Sequence, residues 1–171
     1  MKKCISIIVL VFTSLLLKAQ GDSNKNSEQS ILSALINNNW DGEGMLMGAK
    51  ATFTMKWEHA LQSQFIKLEF QNSRKLEGKE DIVFMATAFY KIENDTVVIG
   101  YWFDSRGVSF PLKGNIKDKE MIINWGNPET EMGKTVYRYT ADNTITVEDY
   151  IGSKGTYHKF GNATYIVKTK Q

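Results

Sequence analysis

The chain has 171 residues, and the side chains in it that could do chemistry are few: two histidines, His59 and His158, and one cysteine, Cys4. The histidines are too far apart for a metal-binding H-x-x-x-H or H-x-H pattern. A zinc site would therefore have to be built from unmarked carboxylates, and no metal is expected. A hydrolase nucleophile on a G-x-S-x-G elbow is missing from the sequence. Gly42, Gly44 and Gly48 are not followed by Lys-Ser/Thr and lead into a strand rather than a helix, so they do not form a phosphate cradle. What remains is acid-base chemistry at His59 or Glu148 and anion pairing at Arg138. Arg138 suits a planar clamp on a ligand carboxylate, but the same residue also reads as a structural ion pair with Glu148 or as a guanidinium stacked on Trp40.

Those groups have to be positioned by elements whose apolar residues repeat every second position. Ala51, Phe53, Met55 and Trp57 alternate with Thr52, Thr54, Lys56 and Glu58, the signature of a half-buried strand. His59 shares parity with the inner set. Ile66, Leu68 and Phe70 continue the pattern, followed by the runs 82–92 and 96–103, which are separated by Glu93-Asn94-Asp95. Further strands fall around Val108 to Leu112, Met121 to Trp125, Val136 to Thr140, Ile145 to Ile151 and Thr156 to Thr169. Breaks stand at Ser105-Arg106-Gly107, Lys117-Asp118-Lys119, Asn127-Pro128, Asp142-Asn143 and Gly152 to Gly155. About nine strands with hairpin-length links predict an all-β, antiparallel up-and-down barrel, because closure removes exposed edges. A two-sheet sandwich is the alternative. The stretch Gln71 to Asp81 is the one connection long enough to act as a lid, and it is heavily charged.

Ahead of the strands, Ser27 can cap a short helix whose apolar positions are Ile31, Leu32, Leu35 and Ile36. The first 19 residues read as an export signal: Lys2 and Lys3, an apolar run from Ile5 to Leu17, and Ala19 at a cleavage position. The run is too short for a transmembrane helix, and Cys4 precedes it instead of following it as a lipid-anchor cysteine would. Residues 20–26 form a polar leader and 27–171 the barrel domain. Removing the signal takes away Lys2, Lys3 and Lys18 and no acid, which leaves the remaining domain about neutral and free of cysteine. Neither nucleic-acid binding nor membrane insertion after cleavage is expected, and a cysteine-free domain suits an oxidising compartment. The expected destination is the periplasm or the medium.

The segment Trp40-Asp41-Gly42-Glu43-Gly44 resembles the opening of lipocalin-like (calycin) barrels, in which a tryptophan after a short helix plugs one end. The same W-x-G-E-G element is similar to that of nitrobindin-like barrels and of a family of exported bacterial lipocalin-like proteins with no assigned function. Gly100-Tyr101-Trp102-Phe103-Asp104, Trp125-Gly126 and Tyr137-Arg138-Tyr139 resemble the last of these most. The resemblance implies a barrel whose interior holds a small apolar molecule. In nitrobindin-like barrels a histidine near the C-terminal strand binds haem iron. Here that strand offers only His158, beside a turn, so no cofactor is expected.

Together these readings predict an exported barrel, monomeric or weakly dimeric, that binds or carries a small hydrophobic ligand. The candidate contacts are Phe53, Met55, Trp57, Phe84, Trp102, Trp125 and Arg138. Two rival functions share the fold: an isomerase or cyclase using His59 or Glu148, and a filled barrel serving as an interaction module of the cell envelope.

Overall fold

The computed structural model describes residues 30–140 and 143–168. The export segment, the polar leader and the proposed Ser27 cap lie outside the described residues. Helix α1 (Ile31–Leu35) has Ser30 as its N-cap, with the Ser30 hydroxyl accepting from the Ser33 backbone N–H at 3.3 Å. Left-handed backbone at Asn37 (φ 63°) turns the chain out of the helix.

Ten strands follow: β1 (Asn39–Leu46), β2 (Ala49–Ala60), β3 (Phe65–Arg74), β4 (Ile82–Glu93), β5 (Val97–Asp104), β6 (Ser109–Lys117), β7 (Glu120–Gly126), β8 (Met132–Tyr139), β9 (Thr144–Ser153) and β10 (Thr156–Val167). Each pairs antiparallel with its neighbours in sequence, and β1 pairs with β10 to close the barrel. The sandwich alternative is thereby excluded.

The strand missing from the sequence reading is β1, which carries the W-D-G-E-G element. Its inward positions include Trp40, Gly42 and Leu46, so a glycine stands where an apolar side chain would have marked the period. The glycine has a steric cause. A Cβ on Gly42 would come within 2.5 Å of the Tyr165 ring, which lies over this strand. The predicted lid is also shorter than expected: Gln71 to Arg74 continue β3, and the connection is residues 75–81.

The two ends of the barrel differ. At one end Ile31 and Leu35 of α1 join Trp40, Trp57, Val98, Met121 and Ile145 in a fully buried cluster. Backbone hydrogen bonds hold the plug in place, from Ile31 N–H to Asp118 C=O at 3.1 Å and from Trp57 N–H to Asn38 C=O at 3.2 Å. The opposite end is ringed by the β1–β2, β3–β4, β5–β6, β7–β8 and β9–β10 connections and forms a mouth. Among the described residues no helix is long and apolar enough to cross a membrane. The outward positions of β2 and β3 carry Thr52, Thr54, Lys56, Glu58, Lys67 and Glu69, whereas those of β4 and β5 expose Val83, Met85, Tyr101 and Phe103.

Candidate functional site

Between the plug and the mouth lies a cavity of about 240 Å³, at the small end for ligand pockets. One wall is a chain of ring contacts. Phe53 meets Phe70 (6.3 Å between centroids) and Tyr165 (5.9 Å), Phe70 meets Trp102 (5.8 Å), and Phe84 stacks on Trp102 (6.4 Å, 20°). Phe110 and Trp125 face this wall as a second pair at 5.8 Å. Trp125 lies where a Cβ on Gly133 would be 2.1 Å from its ring, so only a glycine at that position of β8 lets the indole lie flat.

Of the seven residues singled out from the sequence, Phe53, Met55, Phe84, Trp102 and Trp125 line the cavity. Trp57 lies one layer deeper. Its ring is covered by Tyr90, stacked at 5.2 Å, and by the edge of Tyr137 at 5.7 Å, and these two tyrosines form the cavity floor in its place. Arg138 is on the outside. On β8 the inward set is Gly133, Thr135 and Tyr137, whereas Val136 and Arg138 face outward. Val136 is nonetheless buried, with Ile122 and Glu148 as its partners in register, and this burial on the outer face defeats the inference from apolar character.

Arg138 makes the ion pair with Glu148 that the structural alternative predicts, and a second with Glu120. Its Nε donates to Glu120 and its Nη1 to Glu148, both at 2.7 Å. Glu148 also accepts from Lys159 at 2.8 Å and from the Tyr150 hydroxyl at 3.0 Å. The bonds from Lys159 and Arg138 hold the Glu148 carboxyl down at about 2. A depressed folded-state value stabilises the fold at pH above the unfolded carboxylate range, and that contribution is lost as pH falls through about 2. With half-exposed partners, Glu148→Gln is expected to cost roughly 1 kcal/mol at neutral pH, read by urea unfolding, with the difference shrinking toward zero as pH falls through about 2. Neither Glu148 nor His59 reaches the cavity: the first is on the outer face and the second is exposed near the end of β2. His158 is exposed as well.

Several residues the sequence reading passed over contribute the polar groups of the site. Arg106, in the β5–β6 turn, lies over the rings of Phe84 (5.7 Å) and Phe110 (5.9 Å) at the mouth. It is fixed there by Asp104 at 2.8 Å and by Glu131 of the β7–β8 connection at 3.2 Å. Burial works against the Asp104 carboxylate, but hydrogen bonds from Arg106 and the Trp102 indole outweigh it and hold that carboxyl below its usual range. Arg74 lines the same mouth, with a buried Nε that has no hydrogen-bond partner.

Deeper in, Asp149 of β9 faces the cavity, where its Oδ1 accepts from the Thr135 hydroxyl at 2.7 Å. Enclosure by the barrel pushes its carboxyl up to about 6 against the opposing pull of Thr135. The Tyr90 and Tyr137 hydroxyls interact with each other, and burial raises both, together with Tyr165. Apart from these tyrosines, Asn72, at the same wall, is the one polar residue that is buried among the described residues. Among the described residues no three His, Cys, Asp or Glu side chains gather at one point. The chain matches no family model, and the curated proteins include none that is similar to it.

Proposed function

We propose that this protein is an exported lipocalin-like carrier that sequesters a small, largely apolar molecule inside its barrel. The observation that carries the reading is the cavity itself. Ten strands closed at one end by α1 and Trp40 leave an open mouth and an unfilled space walled mainly by aromatic rings. A barrel serving only as a filled module would spend those rings on each other. Here Phe53, Phe84, Trp102 and Trp125 contact neighbouring rings and still line open volume. Export rests on the Lys2-to-Ala19 segment, and the lipocalin-like assignment on the helix-then-tryptophan plug and the W-D-G-E-G strand. The enzymatic alternative loses its named residues, because His59 and Glu148 stand outside the cavity.

Trp102 and Trp125 report directly on occupancy. Titration with the uncharged apolar dye N-phenyl-1-naphthylamine, or with an uncharged aromatic such as 2-phenylethanol, is expected to change tryptophan emission saturably. Leu112→Trp on the cavity-lining face of β6 fills the space and is expected to weaken binding about tenfold, or about 1.4 kcal/mol. Wild-type protein whose emission ignores every such probe would refute the carrier reading.

A further inference from the structure

Asp149 is a carboxylate placed inside an aromatic container. Its Oδ1 accepts from Thr135, and among the described residues no other side chain donates to it. A carboxylate offers about four acceptor positions, so most of its capacity points to something the protein does not supply. Oδ2 has been given room: a Cβ on Gly161, its partner in register on β10, would lie 3.3 Å away. The β10 bulge between Lys159 and Gly161 also leaves Phe160 lining the cavity beside it.

The surroundings select the sign of the missing partner. The groups facing Asp149 are Thr135 and Tyr137 from β8, Tyr165 from β10 and Tyr90 from β4, all uncharged at neutral pH with their hydroxyls held protonated by burial. The other charged residues of the cavity are Glu131, Arg74 and Arg106 at the mouth, where Arg106 is already paired with Asp104 and Glu131. Arg74 at the mouth has no ion-pair partner among the described residues, so the cavity presents one free cation there and one free carboxylate at Asp149, the latter among ring faces, which attract cations. A carboxylate enclosed by the barrel wall with no cation beside it is costly, and a charge-assisted hydrogen bond from a ligand ammonium removes that cost.

We propose that the cavity selects small protonated amines with an apolar body, the ammonium resting on Asp149 Oδ2 among Tyr90, Tyr137 and Tyr165, and the body lying between Trp102 and Trp125. This rests on the carrier reading and specifies its ligand class. A neutral donor, or a captive water in place of the ammonium, predicts a different result from the test below.

The test compares phenethylamine with its uncharged isostere 2-phenylethanol by calorimetry or tryptophan emission at pH 7.5. The amine is expected to bind at least tenfold more tightly. That preference is expected to vanish in Asp149→Asn and to fall about tenfold per pH unit once Asp149 is protonated, below about pH 6. Thr135→Val retains the charge and is expected to keep the preference, which separates loss of the anion from general damage to the wall. Equal binding of amine and alcohol, or an amine preference that survives Asp149→Asn, overturns the amine proposal and leaves the carrier reading standing. Failure of both probes to bind overturns the two together.

Discussion

Trp57→Ala is expected to lower the unfolding free energy by about 3–5 kcal/mol, the loss typical of deleting a fully buried aromatic. In a domain of this size that corresponds to a fall in Tm of about 10 °C. Trp57 is 1% exposed and lies beneath both tyrosines of the cavity floor, Tyr90 and Tyr137, so its removal leaves the floor unsupported from below. The void would join the cavity, and uncharged apolar probes should then bind at least as well as to wild type despite the lost stability. Trp57→Phe separates packing from polarity. The indole Nε1 is buried without a hydrogen-bond partner, and an orphaned donor of this kind costs about 1–3 kcal/mol. A phenyl ring keeps much of the stack on Tyr90 and removes the orphan, so Trp57→Phe is expected to change stability by less than about 1 kcal/mol. Urea unfolding of the two variants is the check. A loss below about 1 kcal/mol for Trp57→Ala would mean that the floor does not rest on this ring.

The same residues show how far the sequence could be read. Strand β2 was legible because Ala51, Phe53, Met55 and Trp57 are apolar and their neighbours polar, so the two-residue period has one phase. Strand β1 was not, because the fold needs Gly42 where the Tyr165 ring crosses, and glycine carries no mark of facing inward. Strand β8 misled for the opposite reason. Val136 and Tyr137 are adjacent and both buried, so apolar character does not say which of the two faces inward. The side chains that reach the interior from these two strands include Tyr137 and Asp149, while Arg138 and Glu148 lie outside. A signal was present in β9: Ile145 and Val147 share parity with Asp149, so an apolar inward face there ends on an acid. Arg106 carried no such signal, because a Ser-Arg-Gly turn reads as solvent-facing until the mouth of the barrel brings Phe84 and Phe110 beneath it.

Asp149→Asn is expected to raise stability by roughly 2 kcal/mol at pH 7.5, and the direction follows from the proton count. The carboxyl titrates near 6 in the folded chain against an ordinary 3.8, so between these values the native state holds more protons than the unfolded one. Stability contributed by this group therefore falls as pH rises from about 4 through about 6, and stays low above that. Ionising at about 6 instead of 3.8 costs the fold about 3 kcal/mol, and water reaching the carboxylate through the cavity lowers this to roughly 2. An asparagine at the same place still accepts from Thr135 and does not ionise, so its stability should be flat over this range. The two unfolding curves should converge below about pH 4 and separate above about pH 6, with the variant the more stable. The penalty removed by the substitution is the one a bound ammonium would remove in the wild type. Saturating phenethylamine should therefore narrow the gap at pH 7.5, whereas 2-phenylethanol should leave it unchanged. A wild-type protein already as stable at pH 7.5 as its asparagine variant, with no added amine, would mean that Asp149 is compensated from within the chain.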